Sequence, residues 1–146
     1  VVILSKEIHD KGIVFSEAAQ NELNVLRGAI NEIMSIAIDA FVNEDLNLAV
    51  KVEPLEEVVD NLCDEMKLHH TDRLQKGVCS WKQGFVFNDL LTSYERVSDH
   101  CSNIALAMIE LEMEAFNTHE YMRSIEQMKQ DSFKKHYEEF YEKYKI

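Results

Sequence analysis

Phe87, Leu90, Tyr94, Val97, Cys101, Ile104, Met108 and Leu111 follow one another at alternating steps of three and four residues. Only an amphipathic helix keeps that rhythm for so long; a half-buried strand would alternate by two. Alternating steps of three and four also mark helices that lie nearly side by side. The same spacing runs through Leu23, Leu26, Ile30, Ile33, Ala37 and Ala40, with Phe41 four residues after Ala37, and again through Val59, Leu62, Met66 and His69. Four glycines and one proline leave too little turn chemistry for an all-β fold. The expectation is an all-α domain, an antiparallel bundle of long helices.

Local signals set the element boundaries. Residues 1–15 have no helical period and read as a lead-in or linker, with the bundle domain over 16–146. Ser16 is the expected N-cap of a first helix that runs to about Asn43. A second helix starts near Glu44 and ends at Gly77, a good residue for the left-handed position after a helix. Pro54 inside that span cannot donate to the carbonyl of Val50, which predicts a kink or break. Ser80 and Gln83 form a capping box that opens the third helix, completing a core over 16–115. Asn117 and Glu120 form another, opening a C-terminal helix over 117–146. Its seam changes from Tyr121, Ile125 and Met128 to Phe133, Tyr137, Phe140 and Tyr144, which predicts a bend near Asp131 and Ser132.

The charge excludes some partners. A net charge of −12 repels phosphate backbones and anionic lipid surfaces, so no nucleic-acid partner is expected, and cations or basic partners fit better. Cys63, Cys79 and Cys101 form no Cys-x-x-Cys and cannot all pair, which points to a reducing compartment. No apolar run approaches the roughly 18–20 residues of a membrane span. Val1-Val2-Ile3-Leu4 is too short for a signal-peptide core. The chain starts without Met, as a piece of a longer polypeptide would.

Two carboxylate pairs stand out. Glu56 and Asp60, and Glu95 and Asp99, are each four residues apart, so each pair projects from one helix face and offers two oxygen ligands to a hard cation. An antiparallel hairpin about Gly77–Ser80 sets Glu56 level with Asp99, and Asp60 level with Glu95, to within one turn. All four point roughly 100–160° away from the apolar centres of their helices, outside the bundle core. Their common sense of rotation makes the pairs either converge on one groove or splay apart. Asp64 and Asn103 extend the two rows by one turn. His100 follows Asp99 but points about 100° away from it. Arg96 reads as an intra-bundle ion-pair partner, His69 as a core-facing residue with His70 at its edge, and Trp81 as a packing anchor.

The words around these pairs resemble a known family. Tyr94-Glu95-Arg96-Val97-Ser98-Asp99-His100, followed by Asn103-Ile104-Ala105, is similar to a signature of the PhoU family, and Glu56-x-x-x-Asp60 with Leu62 to its companion motif. Phe15-Ser16 ahead of Glu22-Leu23, His69-His70 before Arg73-Leu74, and Gly77-x-Cys79 are similar to the PhoU-like domain at the C-terminal end of bacterial sodium/phosphate cotransporters. The resemblance implies a three-helix bundle plus a C-terminal helix. It also implies a cytoplasmic place, tethered to a membrane transporter module of the parent chain, and a regulatory role in phosphate uptake or signalling, with a phosphate-signalling protein as a further partner. Family members bind multinuclear iron clusters, or zinc or nickel, through such motifs, which implies Glu56, Asp60, Glu95 and Asp99 as metal ligands. Stand-alone relatives carry two tandem repeats and this chain shows one motif pair, so a homodimer would supply the second. A metal-free module that docks a transporter or signalling partner is the competing reading.

Catalysis is not expected. A ferritin-like di-iron centre needs Glu-x-x-His on two helices, and no histidine here has Glu three residues before it. No nucleophile–base pairing, glycine-rich phosphate loop or zinc spacing is present either.

Overall fold

The computed structural model describes residues 8, 10, 12–115 and 119–146, the side chains of 113–131 excepted. Among these residues the chain is helical: α1 (Glu17–Asn43), α2 (Leu46–Ala49), α3 (Val52–Gln75), α4 (Trp81–Ala115) and α5 (His119–Tyr144). Helices α1, α3 and α4 pack on one another around a core that includes Leu26, Ile33, Leu55, Val59, Met66, Phe87 and Leu91, all fully buried. Helix α5 returns along α3 and touches α1. Its Phe140 and Tyr144 are buried, and Tyr144 and Lys143 both donate to Glu32 of α1.

The caps explain where these helices stop. Ser16 Oγ accepts from the Ala19 amide, as an N-cap does. At the end of α3, Gly77 has φ +69; its amide donates to Leu74 and the Val78 amide to Arg73. Those two bonds form a Schellman motif, which needs a left-handed residue at that position. Ser80 and Gln83 then close the expected box: the Gln83 amide donates to Ser80 Oγ at 3.3 Å, and the Ser80 amide to Gln83 Oε1 at 2.6 Å. A tight hairpin between α3 and α4 results.

The expected second helix is interrupted earlier than Pro54. The chain turns at Glu44 (φ 54), forms the short α2 under an Asp45 cap, and restarts at Val52. Pro54 therefore lies in the first turn of α3, where its missing N–H would have had no intrahelical partner anyway. Glu56 and Asp60 consequently stand on regular helix.

One other expectation needs correction in part. Of the expected α4 seam, Phe87, Leu90 and Cys101 are buried and Tyr94, Val97 and Met108 pack against the core, while Ile104 and Leu111 are exposed. Leu91, Ser98 and Ala105 are buried beside it, so the buried face is wider than a single seam, and Ser98 is fully buried although polar by type. Helix α5 runs uninterrupted past Asp131 and Ser132. Asn117 and the side chains of Glu120, Tyr121, Ile125 and Met128 lie outside the described residues.

Candidate metal centre and the buried charge network

The α3–α4 hairpin brings three of the four predicted carboxylates together. Glu56 and Asp60 project from α3, Asp99 from α4, and one oxygen of each lies within 4.8 Å of the others. The pairs thus converge on one groove rather than splaying. Glu56 is half-buried, and Asp60 and Asp99 are exposed, so the cluster lies on the outer surface as the helical angles predicted.

Three like charges so close oppose their own ionisation. Partial burial, then the charges of Asp60 and Asp99, push Glu56 from 4.5 up to about 7. Burial, then the charges of Asp99 and Glu95, also raise Asp60. Among the described residues no basic side chain forms an ion pair with Glu56, Asp60 or Asp99. The site is short of positive charge, and it offers oxygen donors alone.

The fourth predicted ligand is engaged elsewhere. Glu95 accepts from Lys67 Nζ at 2.6 Å, and Lys67 also reaches Asp64 at 3.1 Å. That contact raises the Lys67 pKa, chiefly through its hydrogen bond to Glu95. Lys67 went unremarked in the sequence. Its signal was a lysine seven residues after Asp60, close to two full turns, on the row that already held Asp64. Asn103 and His100 are exposed and lie outside the cluster. Arg96 is exposed and makes no ion pair among the described residues.

Farther along the hairpin lies a second polar group, buried and matched. Arg73 of α3 donates through both terminal nitrogens to the carboxylate of Glu22 on α1, each at 2.8 Å. His69 Nδ1 lies 2.9 Å from the same carboxylate. Arg73 also sits over the Phe87 ring, 5.6 Å from its centroid, and Phe15 meets that ring edge-on. The two histidines exchange their expected places: His70 is buried and stacked on Phe87, while His69 is partly exposed. Burial and the neighbouring Arg73 lower the His70 pKa. Gly84 makes room for that ring, because a Cβ there would come 2.6 Å from His70 Nε2. Trp81 is 75% exposed and rims an open groove of about 630 Å³ with Lys67, Thr71, Asn88 and Thr92, so it does not anchor packing.

The sequence profile of the PhoU domain matches residues 23–108, a span that contains both carboxylate pairs and most of the three-helix core. The chain belongs to the PhoU domain family. It is similar to the phosphate-specific transport system accessory protein PhoU homolog 1 of Thermotoga maritima, 27% identical over 128 residues. That alignment takes in 84% of this chain and 55% of the relative, so the chain spans about half the length of the curated protein it matches. No solved structure matches it. None of the described helices of this PhoU domain is long and apolar enough to cross a membrane.

Proposed function

We propose that this PhoU domain is a regulatory module of phosphate transport that carries a metal on its outer surface. The transport role rests on the family and on the name of the Thermotoga relative. The observation that carries the metal reading is the convergence of Glu56, Asp60 and Asp99 with no cationic partner among the described residues. The residues fit such an ion. Their oxygens are close enough to share one cation, and their mutual repulsion is what a cation removes. An all-oxygen set without thiolate or imidazole favours iron or manganese over zinc or nickel.

A bound cation would supply positive charge that ties α3 to α4. The protein residues do the rest: Glu56 and Asp60 hold their spacing because Pro54 begins the helix instead of breaking it, and the Gly77–Ser80 hairpin sets Asp99 level with them. The finer proposal is that the module serves a sodium/phosphate cotransporter in whose chain it is embedded.

A metal-free docking module is the second reading. Met34, Ile38, Phe41 and Val42 favour it, since they leave an exposed apolar stripe along one side of α1. Metal analysis of protein purified without chelator separates the two. Stoichiometric metal, lost in Asp60→Asn/Asp99→Asn, supports the metal centre. If both proteins stay metal-free after Fe²⁺, Mn²⁺, Zn²⁺ and Ni²⁺ are each offered, the docking reading stands instead.

A further inference from the structure

The carboxylate groove holds a fourth acid that the three-oxygen cluster does not use. Glu95 stands one turn before Asp99 on α4 and is half-buried, and its Oε1 takes a hydrogen bond from Lys67 Nζ at 2.6 Å. Asp60 stands one turn before Asp64 and two turns before Lys67 on the same row of α3, the row that Glu95 meets through Lys67. Glu95 therefore borders the cluster, but its charge is already matched. Lys67 has a second partner on its own helix, Asp64 at 3.1 Å, three residues away. It can give up Glu95 without losing every carboxylate contact.

We propose that Lys67 is a built-in competitor for Glu95: it holds Glu95 off the three-acid cluster, and its release makes Glu95 a fourth oxygen donor to the bound cation. This rests on the metal reading above. A partly exposed lysine–glutamate pair is weak and exchangeable, whereas a divalent ion among carboxylates attracts each of them with twice the charge. Without metal, Lys67 offsets repulsion in the groove. With metal, it retires to Asp64 while Glu95 turns one side chain toward Asp60 and Asp99. Lys67 thereby sets the number of oxygen donors, and donor number separates ions that accept few oxygens from those that require many.

The test is Mn²⁺ titration by calorimetry on four proteins: the unaltered chain, Lys67→Met, Glu95→Gln and the double variant. Lys67→Met is expected to tighten Mn²⁺ binding about tenfold. In the Glu95→Gln background the same change should give less than about threefold, because the donor it would release is gone. Equal gains in both backgrounds would reduce Lys67 to a nearby charge and overturn the proposal. Unchanged or weaker binding by Lys67→Met, with normal binding by the unaltered chain, would sink the competitor role alone. If none of the four proteins binds Mn²⁺, or Fe²⁺ offered without oxygen, the competitor role and the metal reading fall together. Melting curves give an independent readout. Lys67→Met should melt lower than the unaltered chain without metal, yet gain more from saturating Mn²⁺; equal gains would count against the proposal.

Discussion

The two ends of α3 handle charge in opposite ways. Near its C-terminal end Arg73 is buried, and so is the Glu22 carboxylate that holds it at two points. Near its N-terminal end Glu56 and Asp60 meet Asp99 at the surface, with like charges together and no basic side chain paired with them among the described residues. The first arrangement balances its charges within the chain. The second is stable only at the expense of repulsion, or of a proton on Glu56. A buried matched pair fixes how α1 docks on α3; an exposed unmatched cluster leaves its repulsion to be relieved by a proton or, in the proposed reading, by a cation.

Breaking the matched end should have the largest effect. Arg73→Leu leaves the Glu22 carboxylate buried and unpaired, and should cost about 3–5 kcal/mol in chemical denaturation. A loss below about 1 kcal/mol would mean that water reaches Glu22 and that the pair is not buried in solution. Gly84→Ala should come next, at about 1–3 kcal/mol, because the added methyl group drives into a histidine ring already stacked on Phe87. Unaltered stability would show that the His70 ring can move aside.

At the unmatched end the sign reverses. Asp60→Asn or Asp99→Asn should raise the melting temperature of chelator-treated protein, since either removes one of three clustered charges. A fall would mean that the carboxylates are stabilised by contacts other than a metal.

The smallest effects are in pH dependence, and there the two ends oppose each other. The Glu56 pKa is raised on folding, so its contribution is fully present below pH 4.5 and is lost as pH rises toward about 7. The His70 pKa is lowered on folding, so its contribution is present above its ordinary value of 6.5 and is lost as pH falls below it. In metal-free protein, Glu56→Gln should reduce the decline in stability between pH 4.5 and 7, leaving the part that belongs to Asp60. An unchanged pH profile in that variant would show that Glu56 is ionised throughout, and that the cluster is looser in solution.

Much of this frame was legible in the sequence because it depends on local chemistry. Ser16, Gly77 and the Ser80–Gln83 box act within a few residues of themselves, and they set the hairpin that levels Glu56 with Asp99. Convergence of the acids was not legible, since a level register leaves open which side of the hairpin each row faces. The α4 seam was legible from Phe87 to Cys101, but its neighbours Leu91, Ser98 and Ala105 were not, because Ser98 is polar by type yet fully buried and α4 packs against both α1 and α3. His69 and His70 exchanged roles for the same reason: adjacent residues differ by about 100°, and only the position of the third helix decides which is inside. Glu22 and Arg73 were visible as charges four and seven residues from Leu26 and Met66, on the core-facing rows of two helices. Opposite charges on two such rows are the sign of a buried pair, and pairing them needs the fold.

The central claim is that the unmatched end is completed by a cation. The most direct measurement is the melting temperature of chelator-treated protein before and after Mn²⁺, for the unaltered chain and for Asp99→Asn. Binding only to the folded state raises the melting temperature. The account predicts a rise of about 4–8 °C for the unaltered chain, and little or none for Asp99→Asn, which starts higher. Equal shifts in the two proteins, or no shift in the unaltered chain, would contradict it.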